Sequence, residues 1–225
     1  MFKNKVNIVE AHYPPTNEND WWFDLNTHIL KRYYTGEWKR YDTPPPININ
    51  MPADNEIWLR YTGEYSEDAF SSYMEEHVPG FNGSWDVKGD VIIVTDNDVK
   101  NILTGENYFT PSVNDEDFMI SSIKLPKVNI LGAEMENPIF SSSIDWIIIQ
   151  DINYIKPYVV HSGPGIICLA DTPPQVSYDS FGDSPYEVNV YVKDELVNTY
   201  KNDTNWCDYT IKPISELDQS IYNWG

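Results

Sequence analysis

Trp146-Ile147-Ile148-Ile149, Ile166-Ile167-Cys168-Leu169 and Val188-Asn189-Val190-Tyr191-Val192 span the stretch that decides the fold. Each run is rich in β-branched residues, bounded by polar segments and too short for a helix, which reads as a buried strand. Similar runs stand upstream at Glu56-Ile57-Trp58-Leu59, Val91-Ile92-Ile93-Val94 and Ile120-Ser121-Ser122-Ile123-Lys124-Leu125. From Val91 onward they recur roughly every 20–30 residues, and helical periodicity is nearly absent between them.

One short strand per interval of this length is the period of a leucine-rich-repeat solenoid. A sandwich would place its strands closer together, at about 8–12 residues. The period therefore favours the solenoid. The segments between the runs are polar and often carry one aromatic residue, such as Phe109, Phe140 or Phe181. Near the end, Asp194-Glu195-Leu196-Val197-Asn198-Thr199-Tyr200-Lys201 has acids at its start and Lys201 at its close, which suits a helix dipole. It predicts a helical cap over the open end of the array.

Working toward the N-terminus, Thr43-Pro44-Pro45-Pro46 and Pro52 favour a stiff extended segment and exclude a helix. They mark a module boundary. Before it, Trp21-Trp22-Phe23-Asp24 and Ile29-Leu30-Lys31-Arg32-Tyr33-Tyr34 flank a turn-forming Asp24-Leu25-Asn26-Thr27, with a second turn at Thr35-Gly36. This reads as a β-hairpin with a short third strand at 38–41. Trp22, Tyr34 and Trp38 are its small aromatic core and the candidate partner-binding residues. The expected organisation is mainly β: residues 1–42 an aromatic β-hairpin attachment module, 43–53 a Pro-rich linker, 54–192 a degenerate leucine-rich-repeat solenoid, and 193–225 a C-terminal helical cap.

Composition limits the partners. The 225 residues include 35 acids and 15 Lys or Arg, a formal charge of −20. Phosphate recognition needs clustered cations, so nucleic acid and anionic membrane surfaces are disfavoured. No segment approaches the roughly 18 apolar residues of a membrane span, and no apolar region follows the N-terminal lysines as in a signal peptide. The acids fall between the apolar runs, as a solvated exterior would require.

Chemistry is sparse. His12, His28, His77 and His161 lack paired spacing and a cysteine companion, so no zinc site is expected. Asp96-Asn97-Asp98 opens like a calcium loop but has Asn101 where Gly belongs and Asn107 where Glu belongs. Glu75-Glu76, Asp115-Glu116-Asp117 and Glu134/Glu136 read as solvated acids, although a carbohydrate-active enzyme would also use paired carboxylates. Gly163-Pro164-Gly165 lacks the Lys-Ser/Thr of a phosphate loop and reads as a turn. Cys168 sits in an apolar run as a buried thiol, and the reducing compartment argues against a bridge to Cys207. No catalytic residue, cofactor or metal is expected.

Two resemblances add to this. Cys168-Leu169-Ala170-Asp171-Thr172-Pro173-Pro174, Ser180-Phe181, Val190-Tyr191-Val192, Tyr200-Lys201, Asn205-Trp206, Tyr209 and Ile211 through Leu217 resemble the C-terminal end of BspA-like leucine-rich-repeat proteins of gut bacteria. Glu56-Ile57-Trp58, Ala69-Phe70 and Gly89-Asp90-Val91 look like the opening of the same array, and residues 100–160 depart from its regular repeat. The pattern Trp22-Phe23-Asp24, Thr27, Leu30-Lys31, Tyr33, Gly36, Trp38 is similar to short modules of tailed-phage fibre, neck and capsid-decoration proteins. Together they imply a non-enzymatic virion protein made in the host cytoplasm, with the hairpin attaching it and the repeats facing other virion proteins, a host surface protein or a glycan. The phage resemblance also implies a homo-oligomer, often a trimer. A bacterial cell-surface adhesin is the alternative.

Overall fold

The computed structural model describes residues 7–17, 20–26, 29–34, 36–40, 49–104, 112–114, 118–132, 139–140, 144–160, 165–182 and 185–224, without the side chains of 29, 34, 39, 40 and 112–114. The chain divides into two units, Met1–Asn48 and Ile49–Gly225. Residues 43–48 of the Pro-rich segment lie outside the described residues. Its end belongs to the second unit, where Pro52 is buried and its carbonyl accepts from Gln150 Nε2 at 3.3 Å.

The first unit is a four-stranded sheet in the order β1 (Ile8–Ala11), β2 (Trp21–Asp24), β3 (Ile29–Tyr34), β4 (Glu37–Arg40). β2, β3 and β4 form the antiparallel meander expected from the aromatic runs, and β1 adds in parallel to β2. The turn after β2 is held by its own side chains. Asp24 Oδ1 accepts from Asn26 N at 2.9 Å, and Asn26 Nδ2 donates to the His12 carbonyl at 2.8 Å.

The second unit is mainly β as well, with one mixed and one parallel sheet. It runs β5 (Glu56–Gly63), α1 (Glu67–His77), β6 (Ser84–Lys88), β7 (Val91–Thr95), α2 (Val99–Thr104), β8 (Ser112–Asn114), β9 (Phe118–Lys124), β10 (Val128–Leu131), β11 (Trp146–Ile149), β12 (Ile152–Ile155), β13 (Gly165–Cys168), β14 (Gln175–Val176), β15 (Asn189–Val192), α3 (Val197–Lys201) and β16 (Thr210–Pro213). A nine-stranded sheet has the order β16-β15-β13-β11-β9-β5-β7-β6, with β8 paired on β9. A three-stranded sheet has the order β10-β12-β14.

From β9 to β16 the large sheet is parallel. Its register pairs Ser122 with Trp146, Trp146 with Gly165, Ile166 with Val190 and Val190 with Ile211, steps of roughly 19 to 24 residues. The small sheet keeps that step, pairing Val128 with Ile152 and Tyr154 with Gln175. The passes β9–β10, β11–β12 and β13–β14 thus give one strand to each sheet. Side chains repeat at the same step: Asn153 Nδ2 donates to Asn129 Oδ1 at 2.8 Å, and Lys127 pairs with Asp151 at 2.7 Å.

Residues 56–95, expected to open the repeat, are instead antiparallel. β6 and β7 are joined by Gly89-Asp90, and Gly89 at φ +60° permits a turn that only reverses the chain. β5 pairs antiparallel with both β7 and β9, so the parallel array begins at Phe118 and not at residue 54. The region also holds a helix that strand-run reasoning passes over. In α1, Ser66 Oγ accepts from Ala69 N at 3.3 Å, Glu67 and Asp68 occupy the first turn, and Phe70, Tyr73 and Met74 fall on one buried face.

The C-terminal helix also differs from expectation. Asp194–Leu196 is a 3-10 turn, α3 follows, and together they connect β15 to β16, so strand pairing continues to Pro213. In this last pass the helix replaces a strand of the small sheet. Its aromatic neighbours reach back instead: Tyr200 Oη donates to the Ala170 carbonyl at 3.0 Å and Trp206 Nε1 to the Pro174 carbonyl at 2.7 Å.

The core lies against the inner face of the large sheet. Ile57, Leu59, Ile123, Ile147, Ile166 and Val190 alternate inward, and Leu131, Ile155, Phe181 and Trp206 belong to the same buried cluster. Fully burying such a side chain stabilises by about 1.5–3 kcal/mol. Gly165 is not part of a turn but the first residue of β13. A Cβ there would meet the Trp146 ring at 2.2 Å, so the glycine makes room for that indole.

Candidate functional site

The hairpin residues named from sequence converge only in part. On one face of the first unit's sheet, Trp22 and Trp38 meet edge to face at 5.8 Å, and Tyr33 meets Trp38 at 5.6 Å. Trp22 is 6% exposed, and its Nε1 donates to the Ala11 carbonyl at 2.9 Å. Lys31, across the ladder from Trp22, places Nζ 4.6 Å from that ring and 2.7 Å from Asp24 Oδ2, itself 3% exposed. The backbone of Tyr34 pairs with Glu37, but its side chain lies outside the described residues. Tyr33, Lys31 and Asp24, which the sequence offers only within the phage-like pattern and not as partner-binding candidates, complete this face. Alternation along β2 places Asp24 on the face of Trp22, whereas Lys31 and Tyr33 join it through cross-strand register.

Trp22→Ala should unravel this sheet selectively, because it removes the ring that Trp38 and Lys31 share. The expected loss is about 3–5 kcal/mol for a buried aromatic. Limited proteolysis should show cleavage within residues 8–40 while residues 56–213 stay protected. Equal protection of both units would refute the role given to Trp22.

A second aromatic and cationic surface occupies the outer face of the large sheet. Lys124 is buried at 0% exposure and has Trp58 and Ile148 as its cross-strand neighbours. Its Nζ lies 5.4 Å from the Trp58 ring, 4.7 Å from the Trp224 ring and 2.8 Å from the Asn50 carbonyl, to which it donates. Burial, and secondarily the Arg60 charge, pull its pKa from the ordinary 10.5 down to about 8. Arg60 donates Nε to Asp90 Oδ2 at 2.7 Å and Nη1 to the Ser220 carbonyl at 2.6 Å. Further along the face, the Trp146 and Tyr191 rings lie 5.7 Å apart, with Lys212 Nζ 5.7 Å from Tyr191.

The remaining sequence candidates stay dispersed. His12 Nδ1 is hydrogen-bonded to Asn26 Oδ1 at 3.0 Å and His77 packs on Tyr73 at 4.5 Å; His28 and His161 lie outside the described residues. Among the described residues no three His, Cys, Asp or Glu side chains gather as a metal site. Asp96 Oδ1 accepts from Asp98 N at 2.7 Å, as in a closed turn. That turn borders an open cleft of about 430 Å³ with Asp54, Lys100, Asn101, Lys127 and Asn129. Glu75 and Glu76 are exposed on α1, whereas residues 115–117, 134 and 136 lie outside the described residues.

Both cysteines are free thiols. Cys168 is buried within 3.2 Å of Tyr200 Oη, and burial pushes its pKa up to about 11, which keeps it protonated and non-nucleophilic. No helix among the described residues is long and apolar enough to cross a membrane. Compared with family models, curated proteins and solved structures, the chain matches none.

Proposed function

We propose that the chain is a non-enzymatic structural component of a tailed-phage virion, a fibre, neck or capsid-decoration protein. In this reading residues 1–42 attach it through the sheet carrying Trp22 and Trp38. The second unit, from β9 onward, is a degenerate leucine-rich-repeat solenoid that binds another virion protein or the host surface.

The observation that carries the reading is the pair of parallel ladders advancing at one common step of roughly 19–24 residues. That step falls near the 20–29 residues of leucine-rich repeats, whose stacked strands form extended rigid surfaces for recognition. A separate aromatic sheet, earlier in the chain than such an array, supports a division of attachment and recognition between two units.

The test is on particles. Virions purified from a lysate of cells infected by a phage encoding the chain are expected to contain it stoichiometrically by mass spectrometry, and cryo-electron microscopy should show it on capsid, neck or tail. Recovery only from bacterial outer-membrane fractions would overturn this in favour of the adhesin.

A further inference from the structure

Among the described residues the three-stranded sheet ends at β10, with no strand on the far side of it from β12. Lys156 N donates to the Leu131 carbonyl at 2.8 Å, so Leu131 turns its backbone toward β12. In a parallel ladder successive residues bond to opposite sides, which turns the Ile130 and Gly132 backbones away from β12. Gly132 follows this rule: its N–H donates to the Leu103 carbonyl of α2 at 3.0 Å. Ile130, two residues earlier, lacks such a bond. Among the described residues no backbone hydrogen bond takes its N–H or its carbonyl on that side.

The open side leads into the cleft of about 430 Å³ that β10 and α2 line together, a volume within the about 300–1,000 Å³ of ligand sites. Ile130 borders it with a side chain 40% exposed, although its neighbour Leu131 is fully buried. The rim carries two carboxylates, Asp54 and Asp98, and two ammonium groups, Lys100 and Lys127. Lys127 pairs with Asp151 at 2.7 Å and Lys100 lies 3.8 Å from Asp98, so neither cation waits for an anionic ligand. What the cleft does offer is an unbonded length of extended backbone beside an exposed apolar side chain. An edge of this kind is a template for one more strand. A strand added there lies about 4.8 Å from β10 and supplies what Ile130 lacks, a carbonyl for its N–H and an N–H for its carbonyl.

We propose that the free edge of β10 is a docking site for a neutral, extended segment of a partner protein, which adds to the small sheet as a fourth strand beside Ile130. Main-chain bonds give such docking its affinity, and the contacts of alternate side chains with Ile130 and the polar rim give it selectivity. The site belongs to the second unit and does not rest on the virion reading.

The test uses full-length, isotope-labelled chain and an acetylated, amidated Thr-Val-Asn-Val-Thr peptide, followed by nuclear magnetic resonance. In the free chain the Ile130 amide is expected to exchange at least about tenfold faster than that of Leu131, and saturating peptide should slow it at least about tenfold. Ile130→Pro removes only the outward N–H, which an edge strand tolerates, so the folded variant should bind the peptide at least about tenfold more weakly than wild type. The same peptide N-methylated at every residue should bind wild type at least about tenfold more weakly, a comparison that stands even where the proline variant fails to fold. Absence of peptide binding, equal binding of the methylated peptide, or wild-type binding by the folded proline variant overturns the proposal. So does an Ile130 amide as protected in the free chain as that of Leu131; protection that grows with protein concentration would assign the edge to a second copy instead.

Discussion

Trp206→Ala is expected to destabilise the second unit by about 3–5 kcal/mol, the cost of truncating a fully buried aromatic. Trp206 is 0% exposed and meets Tyr200 and Tyr209 at 5.3 Å each and Phe181 at 6.1 Å. Its indole N–H also occupies the Pro174 carbonyl, which nothing in an alanine variant replaces, adding a desolvation cost of about 1–3 kcal/mol if water cannot enter. Since whole domains are stable by about 5–15 kcal/mol, the loss is a large fraction of the total. Urea unfolding followed by tyrosine and tryptophan fluorescence would read it as a shift of midpoint at constant slope. Trp206→Phe separates the two contributions: it keeps a ring against Phe181 and Tyr200 and loses the hydrogen bond, so it should cost about 1–2 kcal/mol. A loss below about 1 kcal/mol for alanine would mean that the packing of Trp206 adds little to the second unit.

The strand runs around Ile123, Ile148, Ile167 and Val190 were legible because continuous apolar β-branched runs fit strands buried on both faces. Their parallel pairing was legible as a period. The antiparallel start was not, because Ile57-Trp58-Leu59 and Val91-Ile92-Ile93-Val94 have the same local character as the later runs, and direction is set by turns such as Gly89-Asp90. α1 has Ser66, Glu67 and Asp68 at its N-terminus and Phe70, Tyr73 and Met74 at helical spacing, but three turns between strand runs repeat the 3.6-residue period too few times to stand out. β14 is two residues long, too short for any pattern to show. The N-terminal aromatic face was half legible: Trp22 and Trp38 stand out by type, whereas Tyr33 and Lys31 join them through cross-strand register, which a linear scan does not display. Least legible was the tail. Nothing in Ser220-Ile221-Tyr222-Asn223-Trp224 says which surface it covers, because Lys124 and Arg60 lie about a hundred residues or more away in sequence, and only the three-dimensional fold brings them together.

Lys124→Met is expected to change how stability depends on pH, and the direction follows from the protons. The unfolded chain takes up a proton on Lys124 near the ordinary 10.5, whereas the folded chain does so only near 8. Between these values the unfolded state holds more protons, so folding stability contributed by this group rises as pH increases from 8 to 10.5 and is lost as pH falls back through 8. The gap corresponds to on the order of 3 kcal/mol, and contact with the Trp58 and Trp224 rings, which favours the charged form, makes this an upper bound. Other groups oppose the trend. Cys168, raised by burial to about 11 from 9.0, and Tyr200, Tyr209 and Tyr222, all raised chiefly by burial, keep their protons when folded; they lower stability once pH passes the point where the unfolded chain releases them. The informative quantity is therefore the difference between wild type and variant, in which these contributions cancel. Methionine spans a similar length without a charge, so the variant should be the more stable chain at pH 7, in keeping with replacements of buried charges by apolar side chains. Its advantage should shrink steadily toward pH 10 as the wild-type amine becomes neutral. Urea titrations of both chains at intervals from pH 7 to 10 measure the difference directly. Parallel profiles would mean that Lys124 keeps its proton throughout, with the two indoles and the Asn50 carbonyl outweighing burial. In that case the charge would be part of what holds the tail in place, and the variant should also release residues 218–224 to hydrogen exchange faster than wild type.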